Sequence, residues 1–201
     1  AASGTYPKSG AGTTTVTVPF NNDGAVNVTA GTLSLNGGGT TGATGTFSVG
    51  AGTGLTFSGG TSTLANGSSL TGSGTFGLSG GTLSIASGTA TLSNLSVNGG
   101  TLAGAGAAAI AGLNETSGGI SIATLTLTGT PAWSGGNWNS TAASTALLSA
   151  GATLTISSAA DHDFDFRTIT NSGTVTWTGG HLRSGHAGGI ANSAAFNDSN
   201  T

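Results

Sequence analysis

This chain has very little charge. Of its 201 residues, three are Lys or Arg and six are Asp or Glu, a net charge of −3 with neutral histidines. Charged residues make up 4% of the sequence, against about a quarter in ordinary globular proteins. Three cations cannot make an electrostatic footprint on phosphates, which excludes nucleic acid as a specific partner. Scarce charge does not make the chain disordered either, since disorder couples low hydrophobicity to high charge. Hydrophobic residues are 35% of the chain and regularly placed. Cysteine is absent, so there is no disulfide framework and no redox compartment to read. No run of 18 apolar residues exists, and no membrane insertion is expected. The chain opens on Ala1-Ala2-Ser3 rather than Met. That start fits processing, or a position inside a larger protein, and the three residues suit the mature side of a signal-peptidase cut.

What is present is glycine, 39 residues of it, with Thr, Ser and Ala supplying most of the remainder. Their order is repetitive. An apolar residue, then Ser, Thr or Asn, then Gly-Gly recurs as Leu35-Asn36-Gly37-Gly38, Phe57-Ser58-Gly59-Gly60, Leu78-Ser79-Gly80-Gly81 and Val97-Asn98-Gly99-Gly100. It returns as Trp133-Ser134-Gly135-Gly136 and Trp177-Thr178-Gly179-Gly180. Thr116-Ser117-Gly118-Gly119 is a weaker version and Ile156-Ser157-Ser158-Ala159 a degenerate one. Successive versions start 22, 21, 19, 19, 17, 23 and 21 residues apart, a period of about 20 that signals a solenoid. Around each Gly-Gly the apolar residues alternate, as in Leu33-x-Leu35, Leu55-x-Phe57, Leu83-x-Ile85 and Val175-x-Trp177. Period two is the pattern of half-buried strands. Thr and Ser between them suit the wet side of a pleated surface.

A second phrase, apolar-x-Asn-x-small-x-apolar, appears at Phe20–Val26, Ile169–Val175 and Ile190–Phe196. Asn at a corner bonds its own backbone, and Asn residues stacked one repeat apart, such as Asn171 and Asn192, can bond along the stack. The expected fold is therefore all-β: a parallel β-helix (β-solenoid) of about nine coils of roughly 20 residues with Gly-Gly corners, running as one continuous body over residues 1–201. An antiparallel sandwich or barrel is the competing architecture. Two stretches are expected to depart from regular coils, the Ala-rich Ala103–Leu113 and a loop over Thr141–Ala150.

The Gly-Thr-Leu-Ser-Leu, Gly-Thr-Phe-Ser-Val and Ile-x-Asn-x-Gly-x-Val phrases resemble the repetitive shafts of bacterial surface proteins, of the filamentous-haemagglutinin-like adhesin and autotransporter-passenger type. The resemblance implies a right-handed parallel β-helix with three strands per coil, secretion, and adhesion or scaffolding at the cell surface. It transfers no catalytic residues.

Candidate chemistry gathers late in the chain, at Asp161-His162-Asp163-Phe164-Asp165-Phe166-Arg167 and His181-Leu182-Arg183 with His186. Alternation points Phe164 and Phe166 inward and Asp163, Asp165 and Arg167 outward. If Phe164 stacks on Leu182, Asp163 lies beside His181 and Asp165 beside Arg183. The plain reading is ion pairing between coils, which is worth little in water. The sharper readings are a weak metal site from Asp163, Asp165 and His181, or acid–base work on a polysaccharide, for which paired carboxylates would be needed. Asp23 and Glu115 stand alone in the sequence. Trp133, Trp138 and Trp177 read as core, with Trp138 the candidate for stacking on a glycan. Alternate Thr in Thr124–Thr128 and Thr174–Thr178 raises an ice-binding face. The expectation is an extracellular structural or adhesive protein without catalysis or cofactor. Its partners would be itself, by end-to-end stacking or continuation in a longer chain, and surface glycans.

Overall fold

The computed structural model describes residues 4–201; the Ala1-Ala2-Ser3 start read as a processing site lies outside the described residues. Among those described, all regular structure is β-strand, and the strands stack in parallel as a β-solenoid of about nine coils with roughly 21-residue spacing. Each coil contributes to three rows of strands. The first row runs from Thr5–Lys8 through Ala25–Val28, Thr46–Val49 and Ser69–Gly72, and later through Thr124–Leu127, Ser144–Leu148, Arg167–Asn171 and Gly189–Asn192. The second runs from Thr13–Val16 through Thr32–Leu35, Gly54–Phe57 and Thr75–Leu78, and later through Ala132–Trp133, Thr153–Ile156, Thr174–Trp177 and Ala195–Asp198. Gly39–Thr41, Thr61–Leu64, Thr82–Ile85, Asp161–Asp163 and His181–Arg183 lie on the third. Two long strands, Thr89–Ala103 and Ala107–Ile120, keep their hydrogen bonds while turning from row to row.

The alternation read from sequence decides which side chains enter. Thr32–Leu35, Gly54–Phe57 and Thr82–Ile85 each alternate half-exposed and buried positions. The inward residues form one core, with Leu33, Phe47, Leu55, Leu70, Phe76 and Leu92 among its members. Burying each side chain of this size is worth about 1.5–3 kcal/mol. Because one coil's inward residues pack on the next coil's, no coil is stable alone.

The corners are set by backbone geometry. Gly81 has φ +64°, and a Cβ built there would sit 2.2 Å from the carbonyl oxygen of Gly60 in the preceding coil. Only glycine meets both demands. In the degenerate version of the motif Ser158 itself takes φ 80°, and its hydroxyl bonds the Ser134 carbonyl and the Ala160 N–H. At the other corner Asn171 Oδ1 accepts the Gly173 N–H, and its Nδ2 donates to Asn192 Oδ1 at 2.7 Å, the bond along the stack that the spacing predicts.

Two expected irregularities resolve differently. The Ala-rich stretch stays in the ladder, pairing Ala107–Ile110 with Thr124–Leu127. Small residues such as Ala108 fit a contracted coil in which Ile110 is followed one turn later by Leu127. Within Thr141–Ala150, Ser144–Leu148 is a regular strand whose Ala146 and Leu148 enter the core.

Candidate functional site

The charged residues of the late coils sort into an outer strip and an inner cluster. The outer strip lies on the third row, where Asp161 pairs with His181, His162 with Leu182 and Asp163 with Arg183. The register differs by two residues from the expected stacking of Phe164 on Leu182. Arg183 holds Asp163 with two bonds, Nε–Oδ1 at 2.7 Å and Nη2–Oδ2 at 2.9 Å, and reaches Asp161 at 2.7 Å. His181 Nδ1 lies 2.9 Å from Asp161, and His186 Nδ1 lies 3.2 Å from Asp165. The Arg183 hydrogen bond holds the Asp163 carboxyl below the usual carboxylate range, and the same contact raises the Arg183 guanidinium.

Asp163, Asp165 and His181, the candidate metal ligands, therefore face three different partners. No group of three or more His, Asp or Glu side chains converges as a metal cradle among the described residues. Asp163, Asp165 and Arg183 line a shallow cleft of about 220 Å³ with Asn139 and Ser184.

The inner cluster is where the structure departs most from the sequence reading. Phe164 is buried as expected. Phe166, however, adopts φ 57° and lies half-exposed, stacked on His186 with ring centroids 4.5 Å apart. This left-handed residue breaks the alternation, so Arg167 turns inward and is completely buried. Its guanidinium donates to four backbone carbonyls: Trp138 at 2.7 Å, Ile122 at 2.8 Å, Ile120 at 3.1 Å and Thr145 at 3.2 Å. One side chain thereby ties three successive coils.

Glu115 is completely buried as well. The Gly-Gly motif aligned Thr116 with the apolar column, but the ladder shifts register between Val97 and Asn98, so Val97 pairs with Glu115 and Asn98 with Ser117. Glu115 thus occupies the column that holds Val97 one coil earlier and Trp133 one coil later. One carboxyl oxygen, Oε2, accepts the Trp138 Nε1–H; the other, Oε1, has no partner. Burial pushes the carboxyl up to about 8, opposed by the Trp138 hydrogen bond and the Arg167 charge. Burial thus favours the neutral form of this carboxyl.

Trp138 is fully buried and offers no face to a glycan. It stacks on Trp133 at 4.2 Å with the rings 8° from parallel, and Trp133 in turn meets the ring of His162 at 4.7 Å and 69°. His162 is buried with both ring nitrogens unpartnered. Burial lowers its pKa, against the raising influence of the Ser157 backbone and the Asp161 and Asp163 carboxylates.

The Thr columns are short. Thr124, Thr145 and Thr168 align over three coils, but Ala107 and Gly189 flank them and Thr126 meets Leu147. The parallel β-solenoid of about nine coils is the fold expected from the sequence. No family model, curated protein or solved structure matches this chain.

Proposed function

We propose that this chain is a non-catalytic rod segment of an extracellular surface protein, serving as shaft or scaffold. The observation that carries the reading is the parallel stacking of about nine coils around one core. At a strand spacing of about 4.8 Å, nine coils make a rod about 45 Å long. Such a body holds what lies at its two ends at a fixed distance. Its sparse outer charge leaves little repulsion against stacking on further coils, whether of a longer chain or of a second copy. Adhesion to surface glycans would be a property of outward positions, since the stacked tryptophans are interior.

The test places the chain between a cell-surface anchor and a reporter epitope and measures the epitope's height above the membrane by energy transfer. The expected result is an increase of about 45 Å with no compaction under load. A flexible, variable height would overturn the rod reading. Turnover of a polysaccharide that disappears in Asp163→Ala and Asp165→Ala would overturn the non-catalytic part.

A further inference from the structure

The interior of the rod holds two titratable groups, Glu115 and His162, whose burial favours their neutral forms, and both belong to one stack of side chains. Glu115 bonds Trp138, Trp138 stacks on Trp133, and Trp133 packs against His162. These residues come from successive coils. Glu115 Oε1 and both ring nitrogens of His162 are buried without partners. Losing the carboxyl proton would leave an anion whose Oε1 has no donor. Protonating the imidazole would leave a buried cation with only the Ser157 backbone to bond it. Either event leaves a buried charge unsolvated, which costs far more than a neutral group in the same place.

The surrounding charges relieve this only in part. Facing Glu115 are Trp138 and, at longer range, Arg167, whose donors are committed to four backbone carbonyls. Beside His162 lie Asp161 and Asp163 on its own strand, and these face outward to His181 and Arg183 of the next coil. Leu182 covers the ring from that coil.

We propose that Glu115 and His162 form a proton-gated joint in the middle of the rod, closed while the carboxyl keeps its proton and the imidazole carries none, and loosened when either condition fails. This goes beyond the shaft reading and stands or falls independently of it.

The two limbs have opposite signs. Burial raises the Glu115 carboxyl from the ordinary 4.5 to about 8, so its contribution is complete below 4.5, declines as pH rises between the two values and is lost above about 8. Burial lowers His162, so its contribution is complete above the unfolded imidazole value of 6.5 and declines as pH falls through the lower folded value. Between 4.5 and 6.5 the two trends oppose each other, which places the most resistant condition in mildly acidic solution.

Glu115 is the only glutamate in the chain, so selective carboxyl labelling gives a single carbon resonance. In the intact protein that resonance is expected to titrate near pH 8; a midpoint in the ordinary glutamate range would overturn the proposal. Hydrogen exchange of the Glu115, Trp133 and His162 amides is the second readout. After correction for intrinsic exchange, it is expected to accelerate at least tenfold, relative to Leu33 and Leu55, as pH rises from mildly acidic solution to about 8, to level off above that, and to accelerate again in acid. Glu115→Gln should abolish the alkaline limb alone. His162→Leu, which supplies the residue that the next coil uses at this position, should abolish the acid limb alone. If His162→Leu does not fold, His162→Gln serves, since it too cannot gain a proton. A limb that persists in its own variant sinks the joint, as does uniform acceleration along the rod.

Discussion

The coils from Ala25 to Ala103 and those from Glu115 to Arg183 solve the same packing problem with different chemistry. In the earlier coils the inward column reads Leu35, Phe57, Leu78, Val97, and every member is an ordinary apolar side chain. In the later coils the same column holds Glu115 and Trp133, and the neighbouring columns admit Trp138, His162 and Arg167. Coil size varies with it. Ser134 bonds back 19 residues to Glu115, whereas Asp165 bonds back 26 residues to Asn139. The coils that change size are bridged by a buried guanidinium. Arg167 donates to four backbone carbonyls there, and large aromatic rings fill the space that aliphatic side chains fill elsewhere. Lys8 does similar work near the start, donating to the carbonyls of Gly10, Gly12 and Ala30. A solenoid can thus tolerate irregular coils when a long cation satisfies the backbone.

The comparison predicts where the rod is most easily broken. Arg167→Leu is the largest expected effect. It keeps much of the volume but strips four carbonyls of their donors, and it should cost about 3–5 kcal/mol in urea unfolding followed by tryptophan fluorescence. A loss below about 1 kcal/mol would mean that water serves those carbonyls equally well.

Next comes the corner backbone of the regular coils. Gly81→Ala forces both a positive φ and a methyl group onto the Gly60 carbonyl and should cost about 2–4 kcal/mol. Gly52 also has positive φ, at 73°, but a Cβ there meets nothing within 4 Å, so Gly52→Ala should cost only about 1–2 kcal/mol. Equal losses would show that strain alone, without the clash, sets the corner. Thermal melts of the two variants measured side by side separate the two contributions.

Asn171→Ala should fall lower, at about 1–2 kcal/mol, because it removes the Gly173 turn bond and the bond to Asn192 while leaving the ladder intact. Smallest of all is Asp163→Asn on the outer strip. The carboxylate is held low by Arg183 in solvent, so its contribution is present above the usual Asp range and fades as pH falls below it. Because water and salt screen the pair, the melt of Asp163→Asn should match that of the unchanged protein at high salt. A clear loss there would make the strip a structural element on a par with the core.

Much of this was legible in the chain. Period-two alternation named inward residues such as Leu33, Leu55 and Leu83, and the recurring Gly-Gly marked the corners. Glu115 was not legible because its place depends on a register shift that the Gly-Gly alignment conceals. Arg167 was not legible because one left-handed residue, Phe166, reverses the inward and outward sense after it. Trp138 fell between the two: its type fits both a core and a glycan platform, and only its complete burial decides.

The sequence by itself determined the period, the strand alternation and the helix-free character, because these follow from local side-chain preference repeated at fixed spacing, while the pairing of the coils in parallel rather than as an antiparallel sandwich was settled by the tertiary structure. The tertiary structure decided which polar residues go inside. Parallel ladders transmit a one-residue shift from strand to strand, and a carboxyl, an imidazole and a guanidinium become interior groups only once neighbouring coils have fixed the register around them.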